Sequence, residues 1–165
     1  MPLNLRPATA DDIPLLRTLA QRIWRECYPG IITAEQIEFM LGWMYSAEQL
    51  ASEFAECVPW ELVEESGEPI GFLSYKLEAD GRVKLNKLYL LPELHGQGLG
   101  QAMLARALAH AAARGAHELR LRVNKHNTRA LRSYDRAGFQ IVESLTADIG
   151  GGFVMDDYIL ARAAP

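Results

Sequence analysis

The chain has 165 residues, of which 49% are apolar and 23% charged, the proportions of one folded domain rather than a disordered segment. No apolar run approaches the roughly 20 residues of a membrane span. Arg6, Asp11 and Asp12 stand where a secretory leader needs an apolar stretch. Cys27 and Cys57 form neither a CxxC pair nor a metal-ligand spacing. The expectations are a reducing cytoplasm, no membrane partner and no metal. The net charge of −4 is unevenly spread: residues 1–80 carry −9, residues 81–140 carry +8 and residues 141–165 carry −3. A basic middle within an acidic chain suits a polyanion at one part and a cation at another. The acidic total argues against nucleic acid as that polyanion.

In chain order, residues 4–6 read as a first strand. Thr9-Ala-Asp-Asp12 is a capping box, followed at helical spacing by Ile13, Leu16, Leu19 and Ile23, until Pro29-Gly30 stops the helix. Thr33-Ala-Glu-Gln36 and Ser46-Ala-Glu-Gln49 predict two more helix starts. Pro59 opens a β region, with strands over 60–64, 70–77 and 83–91 and turns at Ser66-Gly67 and Ala79-Asp-Gly81. Leu99, Met103, Ala107 and Ala111 mark a long helix closed by Gly115. A strand over 118–123 follows, then a helix capped by Asn127 and ending at Gly138. Residues 140–147 and 153–160 predict a closing hairpin around Gly150-Gly-Gly152. There is no repeat and no linker, so the expectation is one mixed α/β domain over residues 1–165.

Between the third β strand and the long helix lies Pro92-Glu-Leu-His-Gly-Gln-Gly-Leu-Gly100. Alternate glycines let backbone approach a ligand closely, and the following helix begins with unpaired N–H groups. Together they suit a pyrophosphate, although the same turn also serves plain packing. It is not a P-loop, since no Gly-Lys-Ser/Thr follows. Nor is it the dinucleotide fingerprint, whose third glycine falls one residue later. Further on comes Asn124-Lys-His-Asn127-Thr-Arg-Ala130-Leu-Arg-Ser-Tyr134-Asp-Arg-Ala-Gly138-Phe139.

These two segments resemble the GNAT superfamily of N-acetyltransferases, whose signatures are Q/R-x-x-G-x-G/A and N-x-x-N-x-x-A-x-x-x-Y-x-x-x-G-F. His95 stands where that family usually has Gln or Arg. The element order agrees over nearly the whole chain. Trp24, Tyr28-Pro29, Met44-Tyr45-Ser46, Lys87–Pro92 and Gly151–Tyr158 look like a bacterial spermine/spermidine N-acetyltransferase-like branch. The resemblance implies a mixed, mostly antiparallel sheet of about six or seven strands with helices on both faces. It also implies acetyl-CoA as cosubstrate and a primary amine as acceptor, with a small polyamine such as spermidine or spermine expected.

Residue roles follow from the same resemblance. The CoA pyrophosphate maps to His95, Gly96, Gln97, Gly98, Leu99, Gly100 and Gln101, and the pantetheine to the backbone of Leu88, Tyr89 and Leu90 and to Asn124 and Asn127. The Leu90 N–H is the expected oxyanion donor, and Tyr134 the expected general acid for the leaving thiolate. An alkylammonium is only about 0.1% neutral at pH 7, so its proton must leave before attack. Glu26, Asp148, Asp156 and Asp157 are candidate bases, and none is singled out. Trp24, Tyr28, Glu26, Asp156 and Asp157 are the expected acceptor contacts, with core packing the competing reading for Trp24. A homodimer is left open. The alternatives are an acceptor on a protein N-terminus, a lysine or an antibiotic amine, or a non-catalytic acyl-CoA-binding module.

Overall fold

The computed structural model describes residues 3–165. Seven strands, β1 (Asn4–Pro7), β2 (Trp60–Glu65), β3 (Glu68–Leu77), β4 (Arg82–Leu90), β5 (Glu118–Asn124), β6 (Gln140–Gly150) and β7 (Phe153–Ala163), form one sheet in the order β1-β2-β3-β4-β5-β7-β6. The pairs β1–β2, β2–β3, β5–β7 and β6–β7 are antiparallel, and β4–β5 is parallel. Five helices accompany them: α1 (Ile13–Cys27), α2 (Ala34–Met44), α3 (Ala47–Ala55), α4 (Leu99–Ala113) and α5 (Thr128–Arg136). None is long and apolar enough to cross a membrane. The mixed α/β class and the strand count match the expectation from sequence.

The chain divides into two compact units. One holds residues up to Tyr75 together with Lys87–Leu99, and the other holds Lys76–Asn86 together with Gly100–Pro165. In the first unit α1 buries Leu16, Ala20, Ile23 and Trp24, spaced three or four apart as one helical stripe requires. Thr33 and Ser46 cap α2 and α3 as their sequences predict, each hydroxyl accepting from the backbone N–H three residues on, at 3.1 Å. Thr9 opens a single 3₁₀ turn before α1, and its N–H donates to the Asp12 carboxylate at 2.9 Å. Arg6 ties that same carboxylate, at 2.9 Å, to Glu64 on β2, at 2.8 Å. The β2–β3 turn is Ser66-Gly67, and both residues have the positive φ of a two-residue hairpin loop.

In the second unit α4 buries Met103, Leu104, Ala107, Leu108 and Ala111. On β5, Leu119, Leu121 and Val123 are buried in strict alternation. Both closing strands run three residues past their predicted ends, to Gly150 and Ala163. The edge strand β6 is exposed at each of its first five residues, and half-buried Leu145, Ala147 and Ile149 then alternate with exposed neighbours up to the glycines of the turn.

Candidate active site

In the first unit the end of β4 carries the interest. Val83, Leu85 and Lys87 are buried at steps of two, and the next buried position, Leu90, comes after a step of three. One extra residue in the alternation is the signature of a bulge. Gly71 on β3 makes room for it. A Cβ there would collide with the Tyr89 carbonyl oxygen and lie 3.3 Å from the Leu90 Cα. The β4–β5 ladder covers Arg82–Lys84 and Glu118–Arg120, and β4 runs on to Leu90 beyond it. Leu91 donates its N–H to Ile70 at 2.9 Å, and the His95 Nε2 pairs with the Leu90 carbonyl oxygen at 2.9 Å. His95 therefore holds the Leu90–Leu91 peptide with its side chain, a contact the motif comparison gave no reason to expect.

The glycine turn follows a short 3₁₀ turn at Pro92–Leu94. Gly96 and Gly98 have φ of 79° and 83°, so backbone conformation alone demands glycine at both. Gly100 does not share that reason. Its φ is ordinary, and a Cβ on Gly96, Gly98 or Gly100 would meet nothing within 4 Å. The space over the turn is thus open on the side where a side chain would stand. Gln97 folds back to the Glu93 carbonyl at 3.4 Å. Leu99 begins α4, whose first turn carries no acidic residue, unlike α2 and α3 with Glu35 and Glu48. An anion at a helix start meets unpaired N–H groups, and the first turn of α4 adds no carboxylate to oppose it. These residues fit a CoA pyrophosphate.

The second unit holds the other motif. Asn127 caps α5, its Oδ1 accepting from the Ala130 N–H at 3.3 Å. Asn124 accepts from the His126 N–H at 2.8 Å. Gln101 gives its amide to Ser133, at 2.9 Å to the carbonyl oxygen and 3.1 Å to the hydroxyl, so it braces α4 on α5. Tyr134 lies on α5, half-buried, with its ring edge-on to Phe139 at 5.8 Å.

The expected acceptor residues fall in different settings. Trp24 is 2% exposed and stacks on Tyr28 at 4.4 Å, as its core-packing reading expects. Tyr28 is half-buried, and its hydroxyl lies 3.2 Å from that of Tyr89. Glu26 is exposed and paired with Arg22 at 3.4 Å, and Arg22 also holds Glu93 at 2.6 Å. On β7, successive carboxylates face opposite sides. Asp156 is held by Lys125 at 2.7 Å and Thr146 at 3.1 Å, and these bonds pull its carboxyl below the ordinary range. Asp157 is 3% exposed and meets Arg122 at 3.2 Å. Burial pushes its carboxyl up, with the Arg122 charge opposing. Each of the carboxylates nominated as an acceptor contact thus has a cationic partner, which the charge tally had not shown.

The acetyltransferase (GNAT) family model matches residues 17–139. An uncharacterised N-acetyltransferase of Mycobacterium tuberculosis is 38% identical over 96 residues, 58% of this chain and 61% of that protein, so the chain spans about three fifths of that relative. The spermidine N(1)-acetyltransferase of Thermoplasma acidophilum is 27% identical over 161 residues, covering 94% of this chain and 97% of that one. The crystal structure of the PaiA N-acetyltransferase from Thermoplasma acidophilum in complex with coenzyme A superposes with a TM-score of 0.84 at 26% identity, covering 99% of both chains. The motifs of the glycine turn and of α5 both lie inside the matched span. The chain belongs to the acetyltransferase (GNAT) family.

Proposed function

We propose that the protein transfers the acetyl group of acetyl-CoA to a primary amine by direct attack on the thioester, and that the acceptor is a small polyamine such as spermidine. The observation that carries the reading is the β4 end and its glycine turn. Backbone beyond the β5 ladder, an open space over Gly96, Gly98 and Gly100, and the start of α4 follow one another along a single stretch of chain.

The pantetheine pairs with the Leu88–Leu90 backbone as an added strand would. The pyrophosphate rests on the turn, with its charge at the helix start. As the amine attacks, the thioester oxygen gains negative charge, and the Leu90 N–H donates to it from the peptide whose Tyr89 carbonyl is seated at Gly71, next in the chain to the peptide that His95 holds. The amine attacks in its neutral form after its ammonium proton has left to solvent; as the C–S bond breaks, Tyr134 gives its proton to the departing sulfur, and the proton shed by the nitrogen as it becomes an amide restores the phenol. A phenol near pKa 10 facing a thiol near 8.5 is a weak enough acid to stay protonated until the thiolate forms. Asn127 serves both as helix cap and as partner of a pantetheine amide.

The polyamine part is supported by the full-length similarity to the Thermoplasma spermidine N(1)-acetyltransferase and by charge. The first unit holds 5 Lys/Arg and 13 Asp/Glu, and the second 12 and 8. With the nominated carboxylates in ion pairs, attraction of a polycation rests on that net field rather than on one open carboxylate. Thiol release from acetyl-CoA, measured with spermidine, spermine, acidic peptides and an aminoglycoside, tests this. Polyamines should lead the panel, with an advantage that shrinks as salt rises. A peptide or aminoglycoside acetylated in place of polyamines removes the polyamine reading and keeps the acetyltransferase.

A further inference from the structure

The second unit has one sheet face whose charges do not balance. Lys84 lies on β4 between the buried Val83 and Leu85, so its side chain leaves from the opposite face. The β4–β5 ladder sets it level with Arg120, and Arg122 follows two residues on along β5, on the same face. Across the β5–β7 ladder Arg122 stands opposite Ile159, and Asn124 opposite Asp157. Most of the charges here are paired. Glu118 takes Arg120 at 2.6 Å and Arg82 at 3.2 Å, and Asp80 also takes Arg82, at 3.2 Å. Asp157 takes the Arg122 Nε at 3.2 Å. Two donor groups remain. The Arg122 Nη2 is buried with no hydrogen-bond partner among the described residues. Lys84 is half-buried, and among the described residues no carboxylate or carbonyl is within bonding distance of its ammonium. Burial and the charges of Arg122 and Lys76 push that ammonium below its ordinary range, with Glu78 and Asp157 opposing from farther off.

A desolvated cation without an acceptor is costly, and such groups normally meet protein, water or a ligand. The balance of charge narrows the ligand. Lys76, Lys84 and Arg122 stand with Glu78 and Asp157, which leaves one positive charge in excess. A monoanion closes that gap, whereas a phosphate dianion overshoots it beside Asp157. A carboxylate also has two oxygens, one for each unpartnered donor group. Half-buried Ile159, opposite Arg122, offers apolar surface to the carbons behind them. We propose that Lys84 and Arg122 form a binding site for a small aliphatic monocarboxylate, whose oxygens accept from the Lys84 ammonium and the Arg122 Nη2 and whose carbon chain lies on Ile159. The site takes an anion rather than an amine, and it rests on no step of the acetyl transfer.

Sodium butyrate is the probe, with butylammonium chloride and inorganic phosphate as comparisons. Each is titrated by calorimetry into the full chain saturated with CoA, so that phosphate finds the glycine turn filled. Butyrate should bind wild type with a Kd of about 1 mM, within the range open to so small a ligand. Lys84→Met keeps the apolar stem and removes the charge, and it should weaken binding about tenfold, the scale of one charge-assisted hydrogen bond. Lys84→Arg, which keeps the charge, should recover affinity to within about threefold of wild type. Without butyrate, Lys84→Met should melt no lower than wild type, since it removes an unpartnered cation. Butyrate should raise Tm in wild type and Lys84→Arg and leave Lys84→Met unchanged. Phosphate should bind about tenfold more weakly than butyrate, and butylammonium should not displace it. No saturable butyrate binding to wild type, unchanged affinity in Lys84→Met, or phosphate bound more tightly than butyrate overturns the site. A Lys84→Met protein that melts well below wild type also overturns it, because the ammonium is then held by the protein itself.

Discussion

Gly71→Ala is the substitution whose cost the structure fixes best. The new Cβ would overlap the Tyr89 carbonyl oxygen and crowd the Leu90 Cα at 3.3 Å and the Tyr89 carbonyl carbon at 3.4 Å. All three are backbone atoms, so no side chain can swing aside. Relief must come from moving β3 and β4 apart, and overpacking of this kind costs about 1–3 kcal/mol. For a chain of 165 residues, each 1 kcal/mol moves Tm by about 2–4 °C. A loss of about 2 kcal/mol therefore lowers Tm by about 4–8 °C. The catalytic effect should exceed the stability effect. The displaced segment carries the Leu90 N–H, the proposed oxyanion donor, and misplacing such a donor by about 1 Å can cost on the order of 10²-fold in rate. Gly42→Ala is the matched control. It lies exposed in α2, and its added Cβ meets nothing within 4 Å. Helix propensity there should raise stability by about 0.5–1 kcal/mol. Differential scanning calorimetry and kcat measured well below Tm read both quantities. A Gly71→Ala protein with unchanged Tm and unchanged kcat would refute the seat assigned to Gly71.

Tyr134→Phe should lower kcat on the order of 10²-fold with little change in KM for acetyl-CoA, and wild-type turnover in steady-state assays assigns Tyr134 to packing on Phe139 instead. Gly98→Glu, which puts a bulky carboxylate on a residue at φ 83°, should abolish CoA binding by calorimetry. Leu104→Ala, at a residue 1% exposed in the second unit, should cost about 2–5 kcal/mol in urea unfolding. The Arg6 guanidinium holds the Asp12 carboxyl below its ordinary value of 3.8. The stabilisation is therefore complete above that value and is lost as pH falls through the lower folded value. With Arg6 40% exposed, Asp12→Asn should cost no more than about 1 kcal/mol at pH 7, and its melting curve should converge on wild type at strongly acid pH.

The sequence carried most of the local structure and little of the side-chain wiring. Caps at Thr33, Ser46 and Asn127 and the turn at Ser66-Gly67 depend on neighbours within four residues, so residue type alone locates them. Helical stripes and the β5 alternation were legible because one face of each is buried. On β6 the half-buried Leu145, Ala147 and Ile149 carry the alternation past the expected end at 147, up to the glycine turn. Contacts between distant positions left no such trace. Arg22–Glu93 is 71 positions apart, Arg6–Glu64 is 58, and Tyr28–Tyr89 is 61. A charge tally therefore places Arg22 and Glu93 in different segments, although Arg22 holds Glu93 as well as its helix neighbour Glu26. His95 is close to Leu90 in sequence, yet its side-chain bond has no signature in residue type, since the motif position is usually Gln or Arg.

Transfer of labelled acetyl from acetyl-CoA to spermidine in a single turnover, followed by mass spectrometry of the amine and by free thiol, tests the central claim most directly. One labelled acetyl on a spermidine nitrogen for each thiol released is the expected result. Thiol release without labelled amine, or CoA binding with no transfer to any primary amine offered, would contradict it.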